Sequence, residues 1–533
     1  MFLREIVCCL YGRHSYRVLH ANRELKQELT KMQIQSMCWA GVILMLAMIG
    51  RAQAIDVNEP YAVDATFGIN GAVLDPLVNL APAAPPRASG QRMALDEDGS
   101  TIVAGMATVN FFGDLNYLVV TRYSASGQRL TWSNPTAGYT DELHQYLLVQ
   151  PATQPENLRI RDVRAVSIGS YGHIYVLIDA LEPGSSTRTD SLLVTFAPDG
   201  AYKGIVTNMA TPNADDIGAA IILLNDWMYL ASSSGTLVTL SRFTLPAPDR
   251  TPVLDTAWAT SGREMRVLPG CKHYVGGLGE LPINCLVRAE RGVISYNAPT
   301  PIYIAGEFIN EQGLSGTQGD LFIMHFDPYT GSSDPHYPVK DGYIGTDDNV
   351  RGLVFRSKLR NPQGDENRLY VLNTFARPCR NGFSVFQFNA DTGSIGTRTF
   401  VKGGSNNADP AACSLTTSME ATDMTLAQDY VSADRYLAIV GSQYTSEPFT
   451  GRNGFLALAD TEHMNWTVQS QEFTHTGGQY PDDAGFQAIV GDFATRRYTV
   501  TGTQSNYDGD VSSALSMRMR ADHHIFGDGF EVQ

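Results

Sequence analysis

Short runs of alternating hydrophobic and polar residues follow one another along most of the chain, and beyond residue 50 no long helical pattern interrupts them. The clearest unit contains residues 91–95, 100–105, 116–123 and 128–132, separated by turns rich in Asp, Ser and Gly. Such runs, bounded by turn residues, predict short β-strands joined by hairpins. Four consecutive short strands are the content of one propeller blade.

The same order of segments recurs six times downstream with degenerate residues. The central segments of these copies are residues 172–178, 227–230, 301–306, 368–372, 435–441 and 497–502. From Gly105 to Gly502 the average spacing is about 66 residues, longer than the ~40–50 of familiar propeller repeats. We therefore expect inserted loops at 180–189, 245–300 and 362–367. The pattern predicts an all-β fold: a single closed β-propeller of seven blades, each with about four antiparallel strands.

Ring closure follows from the cost of open sheet edges. An open run of blades leaves unpaired strands at both ends, which closure removes. We expect residues 71–74 to pair with the last blade as its outer strand, beside the strand that ends at Met519.

The N-terminal part has the features of an export signal. Residues 38–50 form an uncharged apolar run of 13 residues, shorter than the ~20 needed to span a bilayer. The small residues Ala52 and Ala54 follow it, which predicts cleavage between Ala54 and Ile55; an uncleaved anchor is the alternative. The mixed charges of residues 1–28 suggest an overlong gene start. The predicted domains are 1–54 (signal with extension), 55–522 (propeller) and 523–533 (a tail carrying Phe-Gly-Asp-Gly-Phe-Glu).

Export would give a periplasmic or extracellular protein without a stable membrane span. The whole chain has a formal net charge of −16, and residues 55–533 retain 32 Lys and Arg against 52 Asp and Glu. So acidic a surface repels phosphate backbones. The sequence therefore predicts no nucleic-acid partner.

Four cysteines remain beyond the predicted cleavage site: Cys271, Cys285, Cys379 and Cys413. An even number in an oxidising compartment predicts two disulfides. Pairing neighbours along the chain, Cys271 with Cys285 and Cys379 with Cys413, needs only local loops. A zinc site that includes His273 is the alternative, but the chain lacks the Cys-x-x-Cys pair typical of such sites.

Motifs that carry known chemistry are missing from the sequence. It contains no Gly-x-Ser-x-Gly nucleophile elbow, no phosphate-binding loop and no His-Glu-x-x-His zinc motif. The acidic turns at 96–99 and 508–510 resemble fragments of calcium loops, yet the first fits an ordinary hairpin turn better. We therefore predict no catalytic residue, no metal and no cofactor.

One set of charged residues has matching positions in the repeats. In a propeller the first strand of each blade lines the central channel. Arg164 and Arg351 occupy matching places near the starts of such strands, and Arg92 lies at the same place or one residue from it. Asp162 and Asp423 also lie near the starts of the first strands of their blades. Either these side chains form a polar funnel for a small anionic or sugar-like ligand, or each Arg pairs with an Asp of the neighbouring blade.

Two classes of function remain open. The preferred one is a non-catalytic binding or scaffold propeller of the cell envelope or exterior, with an unidentified small-molecule, glycan or protein ligand. The alternative is a secreted carbohydrate-active hydrolase or lyase with carboxylates at the funnel mouth; surface adhesion is a third possibility.

Residues 64–127 resemble a known repeat. The segments Asp-Ala-Thr-Phe-Gly-Ile-Asn-Gly (64–71), the Asp-Gly turn before a strand ending in Ala-Gly (93–105), and Arg-Tyr-Ser-Ala-Ser-Gly (122–127) are similar to the delta-60 repeat of bacterial proteins. That resemblance implies an exported β-propeller and assigns no catalytic residues. The other six copies keep the strand order but lose most of the signature.

Overall fold

The computed structural model describes residues 62–520 apart from several loops, of which the longer are 76–86, 135–143, 148–158, 310–319, 407–416 and 472–482. The strands lie in one compact unit, residues 60–522. They form seven antiparallel blades, and the first strand of each blade contacts the first strands of the blades on either side, so the blades close into a ring. The predicted seven-bladed β-propeller is confirmed.

The chain enters the ring through two short strands, β1 (Ala62–Val63) and β2 (Ala72–Asp75). Blade 1 consists of β3 (Arg87–Leu95), β4 (Thr101–Asn110), β5 (Asp114–Tyr123) and β6 (His144–Leu147). Blade 2 consists of β7 (Arg159–Ile168), β8 (Ile174–Leu181), β9 (Thr189–Phe196) and β10 (Tyr202–Thr207). Blade 3 consists of β11 (Asp216–Leu224), β12 (Trp227–Ser234), β13 (Leu237–Thr244), β14 (Val253–Leu254) and β15 (Arg263–Val267). A separate hairpin follows, made of β16 (Lys272–Val275) and β17 (Gly279–Pro282).

Blade 4 consists of β18 (Leu286–Ile294), β19 (Ile302–Ile309), β20 (Asp320–Phe326) and β21 (Val339–Asp341). Blade 5 consists of β22 (Asp348–Arg356), β23 (Arg368–Phe375), β24 (Gly382–Asn389), β25 (Ile395–Lys402) and β26 (Ser405–Asn406). Blade 6 consists of β27 (Thr417–Ala427), β28 (Tyr436–Thr445), β29 (Arg452–Asp460) and β30 (Trp466–Gln471). Blade 7 consists of β31 (Asp483–Asp492), β32 (Arg497–Ser505) and β33 (Ser512–Arg520).

The region 245–300 is not the loop that the sequence predicted. It holds the two outer strands of blade 3, the β16–β17 hairpin and β18, the first strand of blade 4. The hydrophobic pattern does not predict β18, because Arg288, Glu290 and Arg291 interrupt it. These charged residues face the middle of the ring, where they do not weaken the packing between blades.

Blade 7 is completed by the beginning of the chain, as predicted. β2 pairs antiparallel with β33, with Ala72 opposite Met517 and Leu74 opposite Leu515, and β1 pairs with the end of the same strand. The N-terminal segment thus supplies the outer strand that blade 7 lacks. Because blade 7 combines both ends of the propeller, closing the ring requires both.

The residues that carry the delta-60 resemblance lie at this closure. Phe67 is fully buried, and the guanidinium carbon of Arg518 on β33 lies 4.6 Å from its ring centroid. The amide of Gly68 donates to the carbonyl of Ser126 in the 124–127 turn of blade 1 (2.9 Å). Asp64 is buried and its carboxylate lies 3.1 Å from Nε of Arg497. The signature segment therefore fastens blade 1 to blade 7.

The apolar core lies between successive blades rather than in the middle of the ring. Blade 1 packs on blade 2 through residues such as Leu118, Val120 and Val176. Equivalent clusters join blade 3 to blade 4, blade 4 to blade 5, and blade 5 to blade 6. The apolar side chains are therefore buried between the blades, and polar side chains line the channel.

A β-bulge occurs at the same place in all seven first strands. At this place one residue of each first strand is skipped in the pairing with the second strand; these residues are Gln91, Arg164, Ala219, Glu290, Arg351, Thr422 and Gln487. The first strand of blade 2 has a second irregularity, at Arg161. In four blades the second strand has a glycine opposite the bulge: Gly105, Gly306, Gly441 and Gly502. A Cβ there would collide with the carbonyl oxygen two residues before the bulge. This explains why glycine recurs at this position of the second strand.

Some predictions concern residues outside the described part of the chain. These are the signal and cleavage site at Ala54 and Ile55, the tail 523–533, and the cysteines Cys271, Cys285, Cys379 and Cys413. Within the residues that are described, no helix has both the length and the apolar character to cross a membrane.

Candidate functional site

The seven bulges surround a cavity of about 160 Å³ in the central channel. Side chains from six blades line it, and most come from the bulges or the residues beside them: Gln91, Arg92, Asp162, Arg164, Arg288, Arg291, Arg351, Glu420, Thr422, Arg452 and Gln487. A bulge re-aims side chains that would otherwise alternate between the faces of the strand. Six arginines and two carboxylates thus share one small cavity.

Arg164 is the most completely bonded of these arginines. Its side chain is 3% exposed. Its Nη2 donates to Glu290 (2.7 Å), its Nη1 donates to Asp162 (2.8 Å), and its Nε donates to the carbonyl of Gly218 (2.7 Å). Asp179 lies 3.4 Å from the same Nε. Arg164 therefore serves to join blades 2, 3 and 4.

The carboxylates around Arg164 differ in their pKa values. Burial alone would raise the pKa of Glu290, but Arg164 and Arg288 outweigh it and hold the pKa below its ordinary value. Burial likewise opposes ionisation of Asp162, whose pKa Arg92 and Arg164 nonetheless lower. Burial prevails at Asp179 and raises its pKa to about 7 despite Arg164. Asp162 and Glu290 are consequently anions at neutral pH, whereas Asp179 is near its titration midpoint.

Arg92 and Arg291 are held mainly by backbone carbonyls. The Nε of Arg92 donates to the carbonyl of Arg164 and its Nη1 to that of Gln91, both at 2.8 Å. The Nη1 of Arg291 donates to the carbonyl of Glu290 (2.8 Å). Burial and the charge of Arg92 lower the pKa of Arg291 to about 9, so its guanidinium remains charged at neutral pH. Both arginines thus keep positive charge on the cavity wall.

Several backbone N–H groups at or beside the bulges donate hydrogen bonds to side chains of the preceding blade. Gln91 accepts the amide of Val163 (2.8 Å), Asp179 accepts that of Gly218 (2.8 Å), and Ser233 accepts that of Ala289 (3.0 Å). Between blades 6 and 7, the hydroxyl of Thr422 donates to the carbonyl of Phe486 (2.8 Å). The bulges of blades 2, 3, 4 and 7 are therefore also joints between blades, because groups beside them bond to a neighbouring sheet.

Three polar side chains that line the cavity make no such bonds to the described residues. Arg351, Glu420 and Gln487 are half-buried, and among the described residues none of their side-chain atoms makes a hydrogen bond or a close ion pair. Arg351 does act at longer range on Glu290, whose pKa it helps to lower. A guanidinium, a carboxylate and an amide are thus available to a molecule in the cavity.

The structure brings together four of the five predicted site residues: Arg92, Arg164, Arg351 and Asp162 line the cavity. The fifth, Asp423, lies behind this lining, where its carboxylate accepts the amide of Ile489 (3.1 Å). Burial raises its pKa, against the lowering effect of Arg291 and Arg92.

The expected pairing of each Arg with an Asp of the neighbouring blade is wrong for Arg164. Asp162 and Asp179 belong to its own blade, and Glu290 belongs to blade 4, two blades away. The bulge explains the difference, because it turns the guanidinium across the channel.

The sequence prediction missed several residues that line the cavity: Gln91, Arg288, Arg291, Glu420, Thr422, Arg452 and Gln487. It also missed Glu290, the partner of Arg164. Most lie at or beside a bulge, and the charged run at 288–291 is the one clear signal that the sequence offered. Three charged residues inside a strand of an otherwise apolar repeat indicate a strand that faces water or a ligand. Arg452 comes from a third strand, β29, which positional matching of first strands cannot find.

The acidic turn at 96–99 is a hairpin turn. Asp96 accepts the amide of Glu97 and Asp98 accepts that of Ser100, both at 2.8 Å. Nη2 of Arg122 lies 3.3 Å from both carboxylates, and Gly99 has a φ of 78°. In the part of the chain that the structure describes, no group of three or more His, Cys, Asp and Glu side chains is placed to hold a metal ion.

No family model matches the chain, and no curated protein sequence matches it. Solved structures resemble it in fold. A Dos1 propeller has 9% identity and a TM-score of 0.40 over 81% of this chain and 94% of its own. An α-L-arabinofuranosidase from Fusarium graminearum has 10% identity and a TM-score of 0.39 over 76% and 99%. The NanB sialidase from Streptococcus pneumoniae has 8% and 0.36 over 85% and 94%. Likeness at this level carries no argument about what the chain binds or does.

Proposed function

We propose that this protein is a non-catalytic binding propeller whose central cavity holds a small anionic or sugar-like ligand. The observation that carries the proposal is the lining of the cavity. Six arginines and only two carboxylates line it, in a chain whose formal net charge is −16. Positive charge concentrated in a concave site attracts and orients anions.

The need to hold the ring together does not explain every arginine. Arg164 meets that need, since each of its nitrogens has a protein partner. Arg351 has no such partner among the described residues, although it lines the same cavity. Ordering an unpaired charge in a partly buried site costs free energy. A ligand that neutralises Arg351 offsets this cost.

The proposal includes export. The apolar run at 38–50 and the small residues before Ile55 support a secreted form that begins at Ile55, and the acidity of residues 55–533 suits a binder outside the cell. N-terminal sequencing of the exported product tests this part. A product that retains residues 1–54 would contradict it.

A carbohydrate-active hydrolase or lyase is the second candidate. It is favoured by one observation, that Asp162 and Glu420 line the same cavity from blades 2 and 6. Hydrolysis of glycosides commonly uses two carboxyl groups, one ionised and one protonated. The lowered pKa of Asp162 suits the ionised role. Glu420 would then have to supply the proton.

The two candidates separate in one experiment. The purified protein is screened for binding against panels of small anions and sugars by thermal shift and calorimetry, and for turnover against polysaccharide and aryl-glycoside panels. Binding without turnover supports the binder. Turnover that is lost in both Asp162→Asn and Glu420→Gln, but kept in Glu97→Gln on the exposed turn, would transfer the assignment to the enzyme.

A further inference from the structure

We infer that the ligand of the central cavity is a sugar acid, a small ring that carries one carboxylate and several hydroxyl groups. This inference rests on the proposed binding function and names its ligand class. It follows from which polar groups in the cavity remain available, what each can bond, and how much space they enclose.

The available cations point to a single carboxylate. Arg351 has all five N–H groups free of partners among the described residues, and a guanidinium binds a carboxylate through two parallel hydrogen bonds. Arg92 is bonded through Nε and Nη1 to carbonyl groups, which leaves its Nη2 for the ligand. By contrast, Arg164 already pairs with Glu290 (2.7 Å) and Asp162 (2.8 Å), and Arg288 already pairs with Glu290 (2.6 Å).

The remaining groups point to hydroxyls. Glu420 lines the cavity with a carboxylate that has no partner among the residues the structure describes, and a carboxylate can only accept hydrogen bonds. Gln487 adds an amide that both donates and accepts, as a hydroxyl does. An anion without hydroxyls, such as sulfate, offers Glu420 nothing and is repelled by it. A ligand with both an acidic group and hydroxyls satisfies Arg351 and Glu420 together.

The volume limits the ligand to one ring. The cavity measures about 160 Å³. Pockets for drug-sized ligands are larger, ~300–1,000 Å³. The size of the cavity therefore favours a ligand no larger than one sugar ring, and a longer chain must extend out of the channel.

The roles of the residues follow. Arg351 binds the carboxylate, Arg92 adds a second cationic contact, and Glu420 and Gln487 bind hydroxyl groups. Arg164 contacts no ligand atom and is a positioning residue, since it holds Glu290, Asp162 and the bulge of blade 3 in place. This assignment replaces the sequence-based expectation that Arg164 and Arg351 both contact an anion.

The test compares four probes by isothermal titration calorimetry: glucuronate, galacturonate, glucose and sulfate. We expect at least one uronate to bind at least about tenfold more tightly than glucose, which lacks the charge-assisted bidentate contact. The same uronate should bind more tightly than sulfate, which has no hydroxyl group for Glu420. Arg351→Met should weaken uronate binding at least about tenfold while leaving any weak glucose binding unchanged. Arg122→Met is the matched control and should bind as the wild type does, because Arg122 lies on β5 outside the cavity and pairs with the carboxylates of the 96–99 turn. Circular dichroism and the melting temperature show whether each variant is folded.

The failures can be told apart. Equal binding of glucose and uronate, or uronate binding that Arg351→Met leaves intact, overturns the sugar-acid assignment while the binding function stands. Sulfate binding stronger than uronate binding overturns the part played by the hydroxyls. If none of the four probes binds the folded wild-type protein, the sugar-acid assignment fails, and if the wider panel of anions and sugars also fails, so does the binding function.

Discussion

Residues of one type have different tasks in this channel because the bulges give them different surroundings. Arg164 is buried among three carboxylates, Arg291 is held by carbonyls, and Arg351 faces open space. The side chains are chemically identical, so their number of partners and their burial decide what each contributes. Stability and binding should therefore separate cleanly when the arginines are changed one at a time.

Arg164→Ala should destabilise the protein by about 3–5 kcal/mol, because it leaves Asp179 and Glu290 buried with too little positive charge. Chemical denaturation at neutral pH measures the free energy of unfolding. Arg122→Ala is the control, since its ion pairs with Asp96 and Asp98 are partly exposed and should be worth at most ~1 kcal/mol. Equal losses in both variants would contradict the central role of Arg164.

Glu307, on the second strand of blade 4, should make stability depend on pH. Burial, with Glu290 adding to it and Arg288, Arg351 and Arg164 opposing it, raises the pKa of Glu307 to about 7. The unfolded chain titrates this carboxyl near its ordinary value of ~4.3. Between these values the folded state binds more protons, so its stability falls as the pH rises from about 4 to 7.

Glu307→Gln removes this contribution, because the amide does not titrate. The urea midpoint of the variant should fall less than that of the wild type between about pH 5 and about pH 7.5. Part of the slope should remain, since burial also raises the pKa of Asp179 to about 7. Glu97→Gln, in the exposed turn, should keep the full wild-type slope. A slope unchanged in Glu307→Gln would refute the assignment.

At the scale of strands, the unit of this fold is a bulged first strand against a second strand that accommodates the bulge. The turn glycines and the strand order were readable in the sequence, since Gly99 and Gly127 both have positive φ angles at the turns predicted within the first repeat. The bulges were not readable. A bulge changes pairing without changing composition, so its position shows only when the two strands are aligned.

Gly306→Ala tests the pairing of glycine with bulge. The new Cβ would collide with the carbonyl oxygen of Arg288 and stand 2.8 Å from Cα of Ala289, both backbone atoms that cannot rotate away. We expect a loss of about 1–3 kcal/mol or more in the free energy of unfolding. Gly396→Ala, whose nearest neighbour is the carbonyl oxygen of Gln387 at 3.2 Å, should cost clearly less. Equal costs would mean that the bulge adapts.

A second recurring feature, a tyrosine in the second strand, is visible in the sequence but was not predicted. Blades 2 to 5 have a tyrosine at the same place in their second strands: Tyr175, Tyr229, Tyr303 and Tyr370. Three of these hydroxyls donate to a carbonyl beyond the third strand of the next blade, namely those of Arg250, Pro328 and Ala390. These tyrosines join the blades away from the channel.

Tyr175→Phe should cost about 1 kcal/mol, because it leaves the buried carbonyl of Arg250 without this donor. Burial raises the pKa of Tyr175 to about 12, so the hydroxyl remains a donor at any working pH. Tyr202→Phe is the control, since Tyr202 is 37% exposed and should change little. Thermal unfolding followed by circular dichroism compares the two. A stability of Tyr175→Phe equal to that of Tyr202→Phe would exclude a contribution from the bond.

At the scale of the whole molecule, the sequence predicted the number of blades and the way in which they close. Seven copies of a four-strand pattern favour a closed ring of blades. Closure removes the open strand edges at both ends, so the segment near residue 72 was expected to pair with the last copy. The central cavity was predicted only in part. Arg92, Arg164, Arg351 and Asp162 were found from their matching positions, but β18 was hidden by the charges that make it part of the site.

Ring closure is also where the whole molecule should be most sensitive to a local change. Phe67 lies in the segment that precedes β2, and it is fully buried against Arg518 of blade 7 and the 124–127 turn of blade 1. Phe67→Ala should therefore cost about 3–5 kcal/mol. The substitution should also weaken the pairing of β2 with β33, because it removes the side chain that packs this segment against both blades.

Two measurements distinguish an opened ring from a general loss of packing. Chemical denaturation gives the free energy of unfolding, and hydrogen exchange read by mass spectrometry locates the change. In Phe67→Ala, exchange should rise first in β2 and β33, while β19 of blade 4, on the far side of the ring, stays protected because its own sheet is intact. The matched control is Ile69→Ala in the same segment, since Ile69 is 83% exposed and should change neither quantity. Uniformly faster exchange in all blades of Phe67→Ala would show that the propeller unfolds as one unit and that closure has no separate free energy.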